Sequence, residues 1–257
     1  QKQQRMLEKA SLVPAYHLMR DRSVPLAIMQ QEGMTPDFDF AATMHRQLQG
    51  EIKTIENKIQ ALPVVRQLSE EQGKPFNSSS TPQLVVLLRD KLKLAAGRRG
   101  EKYSTDEAVL ATISHPIAEL ILEKRALVKR DSTYVMGVCR PEDFPDEPTA
   151  GKLVYPDGLI HTNYNHLKVD TGRTSSDEPN LQNYPMREHR EIRDAITAAF
   201  GFTMVSIDYG QIEARVIAMA SECPRLCAAL WDHYDIHGAW AKTLWSFVDD
   251  RYLEEAD

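Results

Sequence analysis

Between Met44 and Leu62 the apolar residues Met44, Leu48, Ile52, Ile55, Ile59 and Leu62 recur at steps of three and four. That spacing keeps one face of a 3.6-residue helix apolar and predicts a long amphipathic helix packed on a core, stopped by Pro63. A second helix is announced by Ser80-Thr-Pro82-Gln83, a capping-box pattern with proline in the first turn, and runs through residues 84–92. A third opens at Ser104-x-x-Glu107. A fourth starts near Pro116 and carries Ile117, Leu120, Ile121, Leu127 and Val128 on one face. After residue 140 the pattern turns β-like: residues 152–155, a Pro156-Asp-Gly158 turn and residues 159–165 read as a hairpin. Residues 203–208 read as a short strand, followed at once by a helix over 211–221 from the spacing of Ile212, Val216 and Met219. Asp208 is thereby expected at the carboxyl end of a strand.

Length and composition narrow the classes without choosing among them. At 257 residues the chain is long enough for one large or two modest domains with a sizeable core, which excludes a small disulfide scaffold. No apolar run approaches the ~20 residues of a membrane span, so no membrane partner is expected. Three cysteines, Cys139, Cys223 and Cys227, are too few and odd in number for a secreted framework and favour a reducing, cytoplasmic setting, with an organelle as the other option. The formal charge of −6, from 31 basic and 37 acidic residues, argues by itself against a polyanionic partner. Its distribution changes that picture: residues 89–102 hold six basic and two acidic residues, and Lys124, Arg125, Lys129 and Arg130 follow. The acid collects in PEDFPDEP (141–148) and in the tail 249–257, so a basic face on an acidic chain is expected.

Three constellations could carry chemistry. Asp208 on a strand end, beside the Tyr209 carbonyl, offers two hard oxygen ligands of the kind magnesium accepts; an aspartate there serves equally as a helix cap. The stretch 170–183 packs Arg173, Thr174, Ser175, Ser176, Asn180, Gln182 and Asn183 into little more than ten residues, with Gly172 and Pro179 fixing the backbone. Short side chains of this kind make phosphate and groove-edge hydrogen bonds, and they also populate ordinary polar loops. Cys223-x3-Cys227-x5-His233-x3-His237 supplies four zinc-type ligands, but five residues between the pairs fall well short of the ~12 of a finger. No phosphate loop of the Walker type, no G-x-G-x-x-G and no G-x-S-x-G is present.

Two long segments resemble blocks of the family A (Pol I-like) DNA polymerases. Thr171-Gly-Arg-Thr-Ser-Ser-Asp-Glu-Pro-Asn-Leu-Gln-Asn-Tyr-Pro185 is similar to G-R-x-S-S-x-x-P-N-L-Q-N-x-P, and Asp208-Tyr-Gly-Gln-Ile-Glu-Ala-Arg215 to motif A, D-Y-S-Q-I-E-L-R. Phe76-Asn-Ser-Ser-Ser80, Tyr103-Ser-Thr105, His115-Pro116, Ser132-Thr-Tyr134 and Asp235-Ile-His237 follow the family's order. Gly210, Ala214 and Thr174 depart from its usual serine, leucine and apolar residue.

The resemblance implies an α+β fold, a helical thumb on a palm with an antiparallel sheet. Its parts would be a connector and palm base (1–42), the thumb (43–138), the palm with motif A (139–222) and the start of the fingers (223–257). It implies template-directed deoxynucleotidyl transfer to a primer 3′-hydroxyl with two Mg²⁺ ions held by Asp208 and the Tyr209 carbonyl. Gln211 and Glu213 would line the pocket for a deoxynucleoside triphosphate, and His237 would lie near its phosphates. Arg173 would read the minor groove at the primer terminus, where acceptors are common to all base pairs. Ser175, Ser176, Asn180, Gln182 and Asn183 would hold primer-template DNA nearby, Lys129 and Ser132 the primer backbone. Arg98, Arg99 and Lys102 would form a thumb tip over the duplex. The family's fingers helix and its second metal-binding aspartate have no counterpart here, so a second polypeptide or a C-terminal region would have to supply them. The chain alone is expected to bind DNA weakly and synthesise nothing. A non-catalytic DNA-binding subunit is the rival reading.

Overall fold

Two helices open the chain, α1 (Lys2–Lys9) and α2 (Val13–Glu32). In the computed structural model, which describes residues 2–94, 98–99, 102–185, 189–231 and 235–244, two units are distinguished, 1–203 and 204–257. Helix α2 mixes apolar and charged residues around its whole circumference and buries only Leu26, leaving Tyr16, Leu18, Val24, Ile28 and Met29 exposed; with no amphipathic stripe it gives no periodic signal. Gly33 follows with φ +66°, and a Cβ there would lie 2.7 Å from the His161 ring, so both backbone and space demand glycine.

Strand β1 (Thr35–Pro36) leads into α3 (Phe38–Ala61), the expected long helix. Asp37 caps it, accepting the Phe40 amide at 2.9 Å, and Ala41, Leu48, Ile55 and Ile59 are buried along it. Pro63 ends this helix as expected but also begins another, α4 (Pro63–Gln72), because a proline lacking its N–H is at home in a first turn. The next helix is α5 (Thr81–Val85), continued by a π-type segment, Val86–Lys91. Its capping box does not form: the Ser80 side chain makes no cap bond, and the Gln83 Oε1 accepts the Asn77 amide at 2.7 Å. Strands β2 (Arg98–Arg99) and β3 (Lys102–Tyr103) pair antiparallel. The third expected helix is a single turn, α6 (Glu107–Leu110). The fourth, α7 (Pro116–Arg130), is capped by His115 and packs on α3 through Ile117, Ile121 and Leu127, with Leu120 half-buried and Val128 exposed.

Polar contacts add to that helix pair. Lys124 Nζ lies 2.5 Å from Glu56 Oε2 and 2.6 Å from Ser78 Oγ. Burial raises the Glu56 carboxyl, but the hydrogen bonds from Lys124, Ser78 and Gln60 outweigh it and hold its pKa below the ordinary value. At the end of α7 the chain enters a π-type turn, Asp131–Val135, then a 3₁₀ turn, Met136–Val138. The buried Asp131 carboxylate accepts from His45 Nδ1 and Gln49 Nε2, both at 2.8 Å. One apolar cluster runs from Ala41 through Ile59, Leu84, Ile121 and Val138 to Ile160 and Ala195. Cys139 lies in it with no exposed surface, and burial, with help from Asp131, pushes its thiol up to about 11.

The expected hairpin over 152–165 is corrected. Its turn exists, with the Tyr155 amide donating to the Leu159 carbonyl at 2.8 Å, but residues 152–155 form turns. Leu153 sits against Gly137 and donates its amide to the Gly137 carbonyl at 3.0 Å, so that segment is taken up elsewhere. The observed partners are β4 (Asn163–Asn165) and β5 (Ser175–Asp177), while β6 (Ile196–Thr197) pairs with β1.

Residues 203–208, expected as a strand, carry no regular structure and are exposed throughout; a strand exists only as part of a ladder, and no described residue pairs with this one. Helix α8 (Ile212–Ser221) follows as expected and packs on α9 (Pro224–Trp231) through Ala218 and Leu230, and α10 (Ile236–Leu244) ends the described chain. No described helix is long and apolar enough to cross a membrane.

Two measurements probe this arrangement. Ile59→Ala empties a fully buried position and is expected to lower unfolding free energy by about 3 kcal/mol in denaturant titration. His161 donates from Nδ1 to the Gln30 carbonyl at 2.6 Å and from Nε2 to Asp157 Oδ2 at 2.8 Å, which raises its pKa, the carbonyl contributing most. Its contribution is therefore full below the unfolded value of 6.5 and lost as pH rises through the folded one. His161→Gln should flatten the decline of thermal stability between about pH 6 and 8.

Candidate functional site

The polar stretch 170–183 folds as one hairpin and a turn. Strands β4 and β5 pair with Asn165 opposite Ser175 and Asn163 opposite Asp177, and residues 166–174 connect them, ending in Arg173 and Thr174. Beyond β5 a 3₁₀ turn, Leu181–Asn183, folds back. Thr162 Oγ1 donates to the Pro179 carbonyl at 2.6 Å, tying the start of the hairpin to the start of the turn. Gln182 Nε2 donates to Thr174 Oγ1 at 3.0 Å across the same gap. Arg173, Asn180, Gln182 and Asn183 are exposed on this assembly, and Ser175 is half-buried.

Ser176 departs from the expected role. It is buried, its hydroxyl donates to Asn180 Oδ1 at 3.0 Å and accepts the Gln182 amide at 3.1 Å, so the group is consumed in shaping the turn. Reciprocal bonding of this kind fixes Asn180 and Gln182 without flexible arms.

The π-type turn that follows α7 meets this 3₁₀ turn. Tyr134 Oη donates to the Asn183 carbonyl at 3.2 Å, and its ring packs edge-on against Tyr184 with centroids 4.9 Å apart. Tyr184 is buried, which, with the neighbouring Tyr134, pushes its phenol up to about 12. Lys129 and Ser132, both exposed, flank the buried Asp131 just before Tyr134. Tyr134 thus ties the chain just after Lys129 and Ser132 to the end of the 173–183 segment. Arg98, Arg99 and Lys102 lie on the paired β2 and β3 strands, and their side chains are outside the described residues.

In the unit 204–257, Asp208 is exposed, and its Oδ1 accepts the Tyr209 amide at 2.9 Å. Gln211 takes φ +54° at the start of α8, and Glu213 stands in the first turn of that helix. Arg215 Nε donates to the Gly210 carbonyl at 2.8 Å, bracing the turn between Asp208 and the helix. His237 is in the first turn of α10, where Asp235 Oδ2 accepts the Gly238 amide at 2.9 Å; the His237 side chain lies outside the described residues. Of the zinc-type ligands, Cys223 and Cys227 are free thiols, Cys227 Sγ is 3.4 Å from the Ala218 carbonyl, and His233 lies outside the described residues. Among the described residues no three His, Cys, Asp or Glu gather as a metal site would require.

Residues 39–255 match the family model described as DNA polymerase family A. The chain belongs to that family. The DNA polymerase I of Synechocystis sp. is 38% identical over 231 residues, covering 87% of this chain and 21% of that protein. The thermostable DNA polymerase I of Thermus aquaticus is 36% identical over 236 residues, covering 89% of this chain and 26% of that protein. A solved structure of the POL domain of Pol1 from M. smegmatis, in complex with DNA primer-template and dNTP, superposes with a TM-score of 0.59 at 27% identity, over 86% of this chain and 36% of that one. The chain therefore spans about a quarter or less of the curated relatives' length.

Within this family A chain, the pattern-based reading missed two groups that shape the site. Thr162 was read only as part of a strand, and the Tyr134–Tyr184 pair joins positions fifty residues apart in sequence, which no local period reports. Ser176→Ala is expected to cost about 1–3 kcal/mol, because it leaves the Gln182 amide and Asn180 without their partner. Chemical denaturation of the two proteins side by side checks this.

Proposed function

We propose that this chain supplies the thumb and the motif A half of the site of a template-directed DNA polymerase, with residues 43–138 as the thumb and 139–222 as that part of the palm. What carries the reading is the hairpin and turn that present Arg173, Asn180, Gln182 and Asn183 on a backbone already fixed by its own hydrogen bonds. Preorganised short donors and acceptors of this kind suit a minor groove, whose acceptors are common to all base pairs. The family membership supports the same conclusion, and so does the mycobacterial neighbour, a complex with a DNA primer-template and dNTP.

Arg173 would then meet the primer-terminal pair, with Ser175, Asn180, Gln182 and Asn183 beside it. Ser176 would act by holding Asn180 and the Gln182 backbone. Lys129 and Ser132 would meet the primer backbone, and Arg98, Arg99 and Lys102 the duplex phosphates. Gln211 and Glu213 would border the nucleotide pocket, Glu213 against a ribose 2′-hydroxyl, and His237 the triphosphate.

Magnesium fits the residues available: Asp208 is exposed, and among the described residues its Oδ1 accepts the Tyr209 amide while Oδ2 is left to a ligand. One carboxylate and a carbonyl make a sparse ligand set of the kind this ion accepts, since it keeps waters and substrate phosphates as further ligands. When bound by Asp208 and the Tyr209 carbonyl, it would acidify the primer hydroxyl and neutralise the departing pyrophosphate. The fingers helix and the second aspartate of the family would come from outside these residues, on this polypeptide or on another.

A primer-extension assay with Mg²⁺ and four deoxynucleotides tests this. The 257 residues alone should give no product, and synthesis should appear on complementation with a family fingers and C-terminal palm segment. Asp208→Ala should then abolish it while leaving duplex affinity unchanged. Robust synthesis by the 257 residues alone would overturn the division of the site, and DNA binding without synthesis in every complemented mixture would favour the non-catalytic subunit. Replacing Arg98, Arg99 and Lys102 together by alanine should reduce the slope of log affinity against log salt by about 2 to 3, which anisotropy titrations measure.

A further inference from the structure

We propose that Arg22 of α2 is a positioning residue for Arg173, acting through the loop that carries it. The proposal rests on reading Arg173 as a duplex contact. Arg22 Nη1 donates to the Gly172 carbonyl at 2.8 Å, and Nη2 donates to the His166 carbonyl at 3.0 Å. His166 is the first residue after β4, and Gly172 is the third before β5, so one planar guanidinium clips both ends of the hairpin loop. Two diverging donors held in a rigid fork suit this task, whereas a lysine ammonium is a point charge.

The bond to Gly172 has a direct consequence for its neighbour. The Gly172 carbonyl and the Arg173 amide belong to one planar peptide unit, so fixing that oxygen fixes the plane from which the Arg173 side chain leaves. Gly172 itself has φ +75°, and its amide closes a turn onto the Val169 carbonyl at 2.9 Å. A Cβ on Gly172 would sit 3.9 Å from Met19 Cε, and Met19 Sδ also accepts from Arg22 Nη2 at 3.6 Å. Loop, glycine and helix α2 therefore meet at the Arg22 head group. Arg22 Nε is buried and finds no partner among the described residues. A cation is thus retained at a desolvation cost, offset by its two carbonyl partners. Helix α2 buries little apolar surface of its own, so polar anchors such as this one set where it lies.

The test uses the 257-residue chain and its variants Arg22→Ala, Arg22→Gln, Arg22→Lys, Arg173→Ala and the double variant Arg22→Ala/Arg173→Ala. Amide hydrogen exchange without DNA reports the loop, and anisotropy with a fluorescent primer-template duplex at fixed salt reports binding. Exchange over residues 167–174 should rise by about tenfold or more in Arg22→Ala and Arg22→Gln, with exchange in α3 unchanged as the folding control. Duplex binding should weaken as much in Arg22→Ala as in Arg173→Ala. Arg22→Lys should not restore it, and the double variant should lose no more than Arg173→Ala.

Unchanged loop exchange, full rescue by lysine, or multiplied losses in the double variant would each overturn the inference. If Arg173→Ala weakens binding and Arg22→Ala does not, the positioning role fails while the Arg173 reading stands. If both bind like the parent, the Arg173 reading fails and the positioning role falls with it.

Discussion

At the end of α7 the Asp131 carboxylate can only accept, so both His45 Nδ1 and Gln49 Nε2 must donate to it, and both belong to α3. Asp131 and His45 are buried while Gln49 reaches in from the exposed side of α3, and losing a partner would strand a charge in the interior. The clasp fixes the register of α7 against α3 at the point where α7 gives way to the π-type turn. Lys129 and Ser132 flank Asp131, and Tyr134, one turn on, reaches the Asn183 carbonyl. The positions expected to touch a primer therefore inherit their placement from a buried group that touches none. The T-shaped contact of His45 with Phe144, 4.7 Å between ring centroids, extends the clasp to the acidic segment beyond.

The helices α3 and α7 were legible because each has one apolar face on one core; Ile55 and Ile59 are buried where the three-and-four spacing puts them. Elements failed to show where that rule does not operate. Helix α2 has apolar residues on every side and no stripe, and α4 hides behind Pro63, which reads as a stop although it also starts a helix. Residues 203–208 have strand composition, yet strand formation needs a partner that composition does not encode. Leu153 was assigned to a hairpin by its neighbours and is claimed by Gly137 instead.

At the site the difference lies between identity and use. The block 171–185 and motif A were visible as motifs, and the chain belongs to the family they suggest. What a motif does not state is how each hydroxyl is used: Ser175 and Ser176 are adjacent, but strand alternation sends them to opposite faces; Ser176 is spent on the turn, and Ser175 Oγ is buried without a partner among the described residues. The net charge of −6 was a poor guide for a related reason, since an integral over the chain hides a basic stretch at 89–102 and acid gathered at 141–148.

Burial of Cys139 has a practical side. With its thiol held near 11 and no exposed surface, it offers maleimide reagents almost no thiolate at neutral pH. The two remaining cysteines, Cys223 and Cys227, both lie after Asp208, half-buried and exposed respectively. A spectroscopic label added to this sequence would thus report on the residues after Asp208 while leaving the helical core around Cys139 chemically silent.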